Sequence, residues 1–362
     1  MIDYPVLKVK RERFSDVDLN APFFDSLRKD YNLTGKNEFD AWFLKKRKEN
    51  EPIYVYRSDG EIQGFLYLKT EELGAESYKD ITPVFSPKKR LKVGTFKIVS
   101  TGLRVGERFL KLIFDNALLR DVDEIYVTLF EKRRNEIDAL AALLKKWGFV
   151  YWGTKSDGES VLVKNMRRYD SLKDPKFNFP VSKPNRQYFF LPIEPQYHSD
   201  LFPDSILTNE DITLYGKDAA HRYALEKVYI SGKDPAFITA QPGDVLVIYR
   251  KGDRWPKKYS SVVTGLAIFE SAIKPANLSD FLKECKNITV FSPNELASFF
   301  NAKKYQTIIK LLYLKTFSHK VTLEFLQQNN IVDENGGPRP LQALSEPQVC
   351  SILNKTKGSD EK

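Results

Sequence analysis

Thr95-Phe96-Lys97-Ile98-Val99-Ser100-Thr101-Gly102-Leu103-Arg104-Val105-Gly106-Glu107 is where the periodicity of the chain changes. Phe96, Ile98 and Ser100 alternate with their neighbours, as a strand requires. From Val105 onward the period is helical: Val105, Phe109, Leu112, Ile113 and Ala117 share a face that Leu110, Phe114 and Leu118 widen. Arg104 with Glu107, and Lys111 with Asp115, sit at spacings that allow charge pairing, which predicts one solvated edge. Gly102 and Gly106 mark a tight turn between the two elements. Such a turn gathers backbone N–H groups and the positive end of a helix dipole at one spot, where an anion can be held.

Elements on either side extend the pattern. Residues 124–130 read as a strand, and 134–147 as a helix with Ile137, Leu140, Ala141, Leu144 and Trp147 on one face and Gly148 as its C′ residue. Two further strands, 149–153 and 160–164, flank a Ser156-Asp157-Gly158 turn. Upstream, 5–14 reads as a strand, and 18–31 and 38–49 as amphipathic helices, the first preceded by the cap candidate Asp16. Residues 53–57 and 62–68 form a hairpin around Ser58-Asp59-Gly60. Agreement among separate elements weighs more than any one of them. This order, with Trp147-Gly148-Phe149 before the last hairpin, resembles the core of the GNAT superfamily of N-acetyltransferases over roughly residues 1–168.

The resemblance implies a mixed α/β sheet flanked by helices, acetyl-CoA as co-substrate and no metal. It places the donor's pantetheine arm along the strand at Ile98 and Val99, and the pyrophosphate at Arg104, Val105, Gly106 and Glu107. Backbone N–H groups near Val99 would then polarise the thioester carbonyl. The family's pyrophosphate loop, Arg/Gln-x-x-Gly-x-Gly/Ala, falls on Thr101, Arg104 and Gly106, so only its last position matches. The family's tyrosine acid falls on Leu144. Candidates for proton transfer are Tyr126, Tyr151 and Glu131, of which the two tyrosines read equally as core strand residues. The basic run 86–97 is either a solvated loop or a phosphate-facing rim carrying Lys89, Arg90, Lys92 and Lys97.

Residues 170–185 change character, with Pro175, Pro180 and Pro184 among polar residues, and predict a linker between a domain at 1–169 and one at 186–353. The second half is strand-rich. Strands are expected near 188–193, 228–231, 241–250 (QPGDVLVIYR), 260–270 (SSVVTGLAIFE) and 306–314, with a helix over 218–227. The closing Gly336-Gly337-Pro338-Arg339-Pro340 resembles the close of a subgroup of GNAT proteins that carry a nucleic-acid-reader-like domain, and these strands resemble the PUA-like barrels, the class of ASCH and EVE domains. That resemblance implies a β-barrel that holds an extruded nucleobase by stacking and edge hydrogen bonds, with Lys227, Tyr229, Ser231 and Trp255 as contacts. Each also has a structural reading: Tyr229 in the core, Trp255 as a cover, Lys227 as a helix cap. Residues 354–362 predict a disordered tail.

Composition bounds the rest. A chain of 362 residues has room for two domains, and 42% hydrophobic with 13% aromatic residues supplies packed cores. The 57 basic against 48 acidic residues give a net charge of +9, which favours an anionic partner. Cys285 and Cys350 exclude a disulfide framework or cysteine-rich zinc site, and His198, His221 and His319 lack ligand spacing. Charges near Met1 replace the apolar stretch of a signal peptide, and no run approaches the roughly 20 apolar residues of a membrane span. The expectation is a cytoplasmic protein without membrane contact. Its expected activity is acetyl-CoA-dependent N-acetylation of a nucleic acid (RNA, tRNA or modified DNA) or of an amine bound to one. Two alternatives stay open: a non-catalytic nucleic-acid reader on a degenerate GNAT scaffold, and an acetyltransferase for proteins or small amines. The sequence leaves the oligomeric state open.

Overall fold

The computed structural model describes residues 7–31, 38–72, 79–99, 102–131, 134–211 and 218–357. By internal contacts the chain forms two units: Met1–Lys145 with Phe149–Arg167, and Lys146–Gly148 with Arg168–Lys362.

The first unit runs β1 (Val9–Arg13), α1 (Asp25–Tyr31), α2 (Glu38–Lys48), β2 (Pro52–Ser58), β3 (Glu61–Glu71), β4 (Ile81–Thr82), β5 (Arg90–Ile98), α3 (Val105–Leu119), β6 (Glu124–Leu129), α4 (Asn135–Lys146), β7 (Val150–Lys155) and β8 (Ser160–Asn165). Its eight strands form one sheet in the order β1-β2-β3-β5-β6-β8-β7-β4. Among the described residues only the β5–β6 pair is parallel, so the sheet is mixed. The β2–β3 hairpin closes through Asp59 (φ 51°) and Gly60 (φ 83°), the left-handed pair that matches strand twist. On one face Phe24 and Leu27, with Phe39 and Phe43 of α2, join Phe14, Ile53, Val55 and Phe65 in one cluster. Its rings meet edge to face, as with Phe14 and Phe43 at 4.8 Å.

Two expectations change here. The basic run is not a loop: from Arg90 it is strand β5, because Leu91 and Val93 alternate with Arg90 and Lys92 and their apolar side chains are buried. The charged edge of α3 is not solvated either. Glu107, Lys111 and Asp115 are buried, with Lys111 Nζ on Asp115 Oδ1 at 2.5 Å, whereas Leu118 and Leu119 are exposed.

The second unit runs α5 (Pro175–Asn178), β9 (Tyr188–Ile193), α6 (Pro195–Leu201), α7 (Ala220–Tyr223), β10 (Glu226–Ser231), β11 (Val245–Arg250), α8 (Lys257–Ser260), β12 (Val262–Ile273), α9 (Leu278–Cys285), α10 (Pro293–Asn301), β13 (Thr307–Thr322), α11 (Leu323–Gln328), β14 (Ala343–Leu344) and α12 (Glu346–Thr356). Its six strands are ordered β10-β13-β12-β11-β9-β14, with β9 and β11 parallel. Among the described residues no pairing joins β10 to β14, so the closed barrel expected from the sequence is not shown. Phe189, Leu191, Leu246 and Ile248 enter one apolar cluster, while Phe190, Val247 and Tyr249 enter another. The sheet is thus covered on both faces, as parallel-strand centres usually are.

Residues 170–185, expected to be a linker, are tied into this unit. Lys176 Nζ bridges Glu226 (2.9 Å) and Glu270 (3.1 Å), and Lys183 pairs with Asp244 (2.8 Å). Of the helix expected over 218–227, only Ala220–Tyr223 is helical, and β10 begins at Glu226. Helix α12 continues to Thr356, past the point where disorder was expected, because Val349, Ile352 and Thr356 bury one face; residues 358–362 lie outside the described residues.

Candidate functional site

β5 and β6 pair only from Arg90↔Glu124 to Val93↔Val127, although both strands continue. The parting follows a bulge. β3 pairs Leu68 with Val93 and then Tyr67 with Thr95, so Gly94 is an extra residue on β5. A bulge bends its strand and increases the local twist, which turns the end of β5 away from β6. A Cβ at Gly94 would lie 2.7 Å from Cδ1 of Tyr67, so the tight approach there suits glycine.

The gap is a cleft of about 500 Å³, within the roughly 300–1,000 Å³ of small-molecule sites. Its two faces differ because side chains alternate along β5. On the α3 side it is apolar, walled by Ile98, Gly106, Ile137, Leu140 and Leu143. On the α1 side it is polar, with Ser26, Asp30, Tyr31, Lys97 and Arg134.

Val99 N–H donates to Gln63 O across β3 at 2.9 Å. By antiparallel alternation the N–H and C=O groups of Phe96 and Ile98 point the other way, toward the gap. Of the N–H groups near Val99, those of Ile98 and Phe96 are the ones turned to the cleft. Val99's own is used by the sheet.

At the head of α3, Arg104 takes the left-handed conformation (φ 56°), and its own side chain does not cap the helix. Its Nη1 lies 3.5 Å from Glu107 Oε1, Val105 is buried, and Gly106 lines the cleft. Glu107 N–H donates back to Arg104 O at 2.9 Å, so it is the N–H groups of Val105 and Gly106, which precede the first intrahelical bond, that could take an anion at this end. Thr101 lies outside the described residues.

The polar face is densely bonded. Lys97 Nζ donates to Phe23 O, and to Ser26 Oγ at 2.5 Å. Burial, then the nearby Arg134, lowers the Lys97 ammonium to about 8. Arg134 is ion-paired with Asp30. Tyr31 donates to Glu159 Oε1 at 3.0 Å, and burial together with that carboxylate pushes its phenol well up.

None of the proton-transfer candidates lines the cleft. Tyr126 is fully buried below the gap and donates to Glu71 Oε2 at 2.5 Å. Tyr151 is 59% exposed on β7, and Glu131 pairs with Lys145 Nζ at 2.6 Å. Arg90, expected on a phosphate-facing rim, is 0% exposed and held by Glu124 Oε2 at 2.7 Å. Lys89 is half-buried, its backbone N–H on Asp123 Oδ2 at 3.1 Å. Burial lowers Lys92, which lies 5.6 Å from the Tyr126 ring centroid.

In the second unit Lys227 is 0% exposed and caps α7, donating to the carbonyls of His221 and Arg222. Tyr229 packs against an apolar cluster, and Ser231 Oγ accepts from Lys233 N–H at 3.0 Å. Trp255 is 87% exposed. It borders a separate cleft with Lys251, Lys257, Lys258, Gln327 and Gly337, to which the other three do not belong.

The sequence reading missed Ser26, Asp30, Tyr31 and Arg134. Ser26, Asp30 and Tyr31 lie along α1, and Arg134 precedes α4, so only the tertiary fold unites them. Among the described residues no group of His, Cys, Asp or Glu is placed to hold a metal ion, and no helix is long and apolar enough to cross a membrane.

No protein-family model and no curated protein matches the chain. Similar solved structures include ASCH from Zymomonas mobilis, at 13% identity over 47% of this chain and 96% of that one, TM-score 0.33. An N-acetyltransferase from Staphylococcus aureus Mu50 shares 15% identity over 43% and 96%, TM-score 0.30. Chaetomium thermophilum Naa20 in complex with a bisubstrate analogue shares 15% over 45% and 88%, TM-score 0.31. Identities this low carry no activity from those proteins to this chain.

Proposed function

We propose that the first unit is an N-acyltransferase that moves an acetyl group from acetyl-CoA to an amine. One observation carries this: two parallel strands part beside the N-terminal end of a helix, leaving a cleft apolar on one face and polar on the other. The pantetheine arm has amide groups, and the free backbone edge of Phe96 and Ile98 offers them donors and acceptors in strand fashion. The pyrophosphate belongs at Gly106, where Arg104 adds positive charge to the helix dipole. The thioester then sits in the gap, reached by the acceptor from the α1 face. An Ile98 or Phe96 N–H aimed at the carbonyl oxygen stabilises the charge that develops there.

The second unit, read as PUA-like, would bring a nucleic acid as acceptor or as carrier of the acceptor. The favouring observation is Trp255, almost wholly exposed in a cleft that Lys257 also lines, together with Lys251 and Lys258, which pair with Glu194 and Glu324; an aromatic face beside positive charge is what single strands use.

Calorimetry with acetyl-CoA on the unmutated protein and on Gly106→Val tests the donor site. A Cβ at Gly106 would meet Leu143 Cδ2 at 2.8 Å, the end of a flexible side chain, so the fold survives while the cleft fills. Binding that the substitution abolishes is expected. Unchanged affinity, or no binding by the unmutated protein, refutes the reading.

A further inference from the structure

Lys97 stands apart from every other lysine of the unit in its position. Its neighbours Phe96 and Ile98 serve the apolar face, with Phe96 5.7 Å from the Phe109 ring and Ile98 Cδ1 near Gly106. Lys97 itself projects to the α1 face, over the Phe23 ring at 4.5 Å, and lines the cleft where the two strands have parted.

We infer that Lys97 is the base that removes the acceptor ammonium's proton, and that Ser26, Asp30 and Arg134 around it form the acceptor's subsite. This rests on the acyl-transfer reading. The nitrogen of Lys97 has three positions beyond its carbon. Two donate, to Phe23 O and Ser26 Oγ. The third is an N–H in the ammonium and a lone pair in the amine. Two N–H bonds are therefore kept in the neutral form, so deprotonation costs the site little hydrogen bonding.

The charges that face Lys97 set its balance. Arg134, ahead of α4, disfavours the ammonium, as burial does; Asp30 and Asp25 of α1 and Glu136 of α4 favour it. Asp30 is partly neutralised by its ion pair with Arg134. Tyr31 does not compete for the role, since its hydroxyl is committed to Glu159 and ionises only well above its ordinary value.

The step balances as follows. The acceptor R–NH3+ gives one proton to neutral Lys97, which becomes an ammonium. The freed lone pair attacks the thioester carbonyl; the C–N bond forms, the C–S bond breaks, and the thiolate leaves with the second surplus proton of the nitrogen. Lys97 then returns its proton to water. The products are the amide, the free thiol and one solvent proton.

The test uses the full chain, with Lys97→Met and Lys97→Arg. Arginine keeps the charge and donors but cannot act as a base. NMR of protein with 13C-labelled lysine follows the Cε signal that the variants lack, and it should titrate near pH 8. With acetyl-CoA, ethylamine and trifluoroethylamine serve as acceptors, the first an ammonium at neutral pH and the second already a free amine. Both variants should lose about 100-fold or more in kcat/KM toward ethylamine, lose little toward trifluoroethylamine, and lose the limb of the pH profile near 8. No calorimetric binding of acetyl-CoA removes the donor reading. Binding together with a Lys97 signal that titrates at the ordinary value of about 10.4, or with equal losses on both amines, overturns the base assignment alone.

Discussion

Arg90→Met asks whether the basic segment serves the fold or a ligand. Arg90 is 0% exposed, and its Nε and Nη2 reach Glu124 Oε2 at 2.8 and 2.7 Å. Nη1 donates to Ser86 O at 2.8 Å, and the guanidinium lies 4.1 Å from the Phe85 ring centroid. Removing one partner of a buried pair costs about 3–5 kcal/mol, because the other charge stays behind in low dielectric. Here Lys88 Nζ remains on Glu124 Oε1 at 2.5 Å, so the carboxylate keeps one cation. The methionine also keeps part of the packing on Phe85. The lower end, about 3 kcal/mol, is therefore expected. With a urea slope of about 2 kcal/mol/M, the midpoint of the first unit should fall by about 1.5 M. Urea titration followed by circular dichroism reads this, and acetyl-CoA and RNA affinities of the still-folded variant should not change. An unmoved midpoint with weakened binding of either anion would show Arg90 facing a ligand, and the buried-pair argument would be wrong.

His198 is fully buried, with Nε2 2.8 Å from Thr264 Oγ1, and burial next to Arg250 and Lys320 holds its pKa well below the usual value. The unfolded chain takes up a proton below about pH 6.5 that the native state refuses, so stability is lost as pH falls through that point; His198→Asn should flatten the dependence in thermal melts at several pH values. Trp255→Ala in the full chain should weaken single-stranded RNA binding by about 1–3 kcal/mol, roughly 5- to 150-fold, without changing the slope of affinity against salt that phosphate contacts set. Absence of any RNA or single-stranded DNA binding leaves that cleft with no polyanion to serve.

Much of the first unit was legible because its signals are local. The Asp59-Gly60 turn, the 3.6-residue period of α3 and the change of period at Gly102 each sit within a few residues of one another. β5 was only half read, since Arg90 and Lys92 look like a solvated run until Glu124 is known to lie beside Arg90. The same holds in the second unit. Alternation identified β9, β11 and β12, but not that both faces of the sheet are covered, for a fully buried strand and a barrel strand share one apolar run. Helices α9 and α10 did leave local signals, Asn277 capping Asp280 N–H and the Ser292–Glu295 capping box, which the reading passed over.

The chemistry of the cleft was less legible because it depends on where two strands cease to pair. Tyr126 pairs with Lys92 inside the joined part of the β5–β6 ladder, so a plausible phenol is sealed beneath the gap. From Thr128 onward β6 borders open space, and the same is true of β5 after Gly94. A reacting group must therefore come from beyond the bulge, and its face is fixed by alternation. Phe96 and Ile98 take the α3 side, where the proposed donor would lie, while Thr95 and Lys97 take the α1 side, proposed for the acceptor. Of these two, Thr95 gives its hydroxyl to the neighbouring Gly94 carbonyl at 2.9 Å. Lys97 alone among the β5 residues beyond the bulge brings an ionisable side chain to the α1 side of the gap.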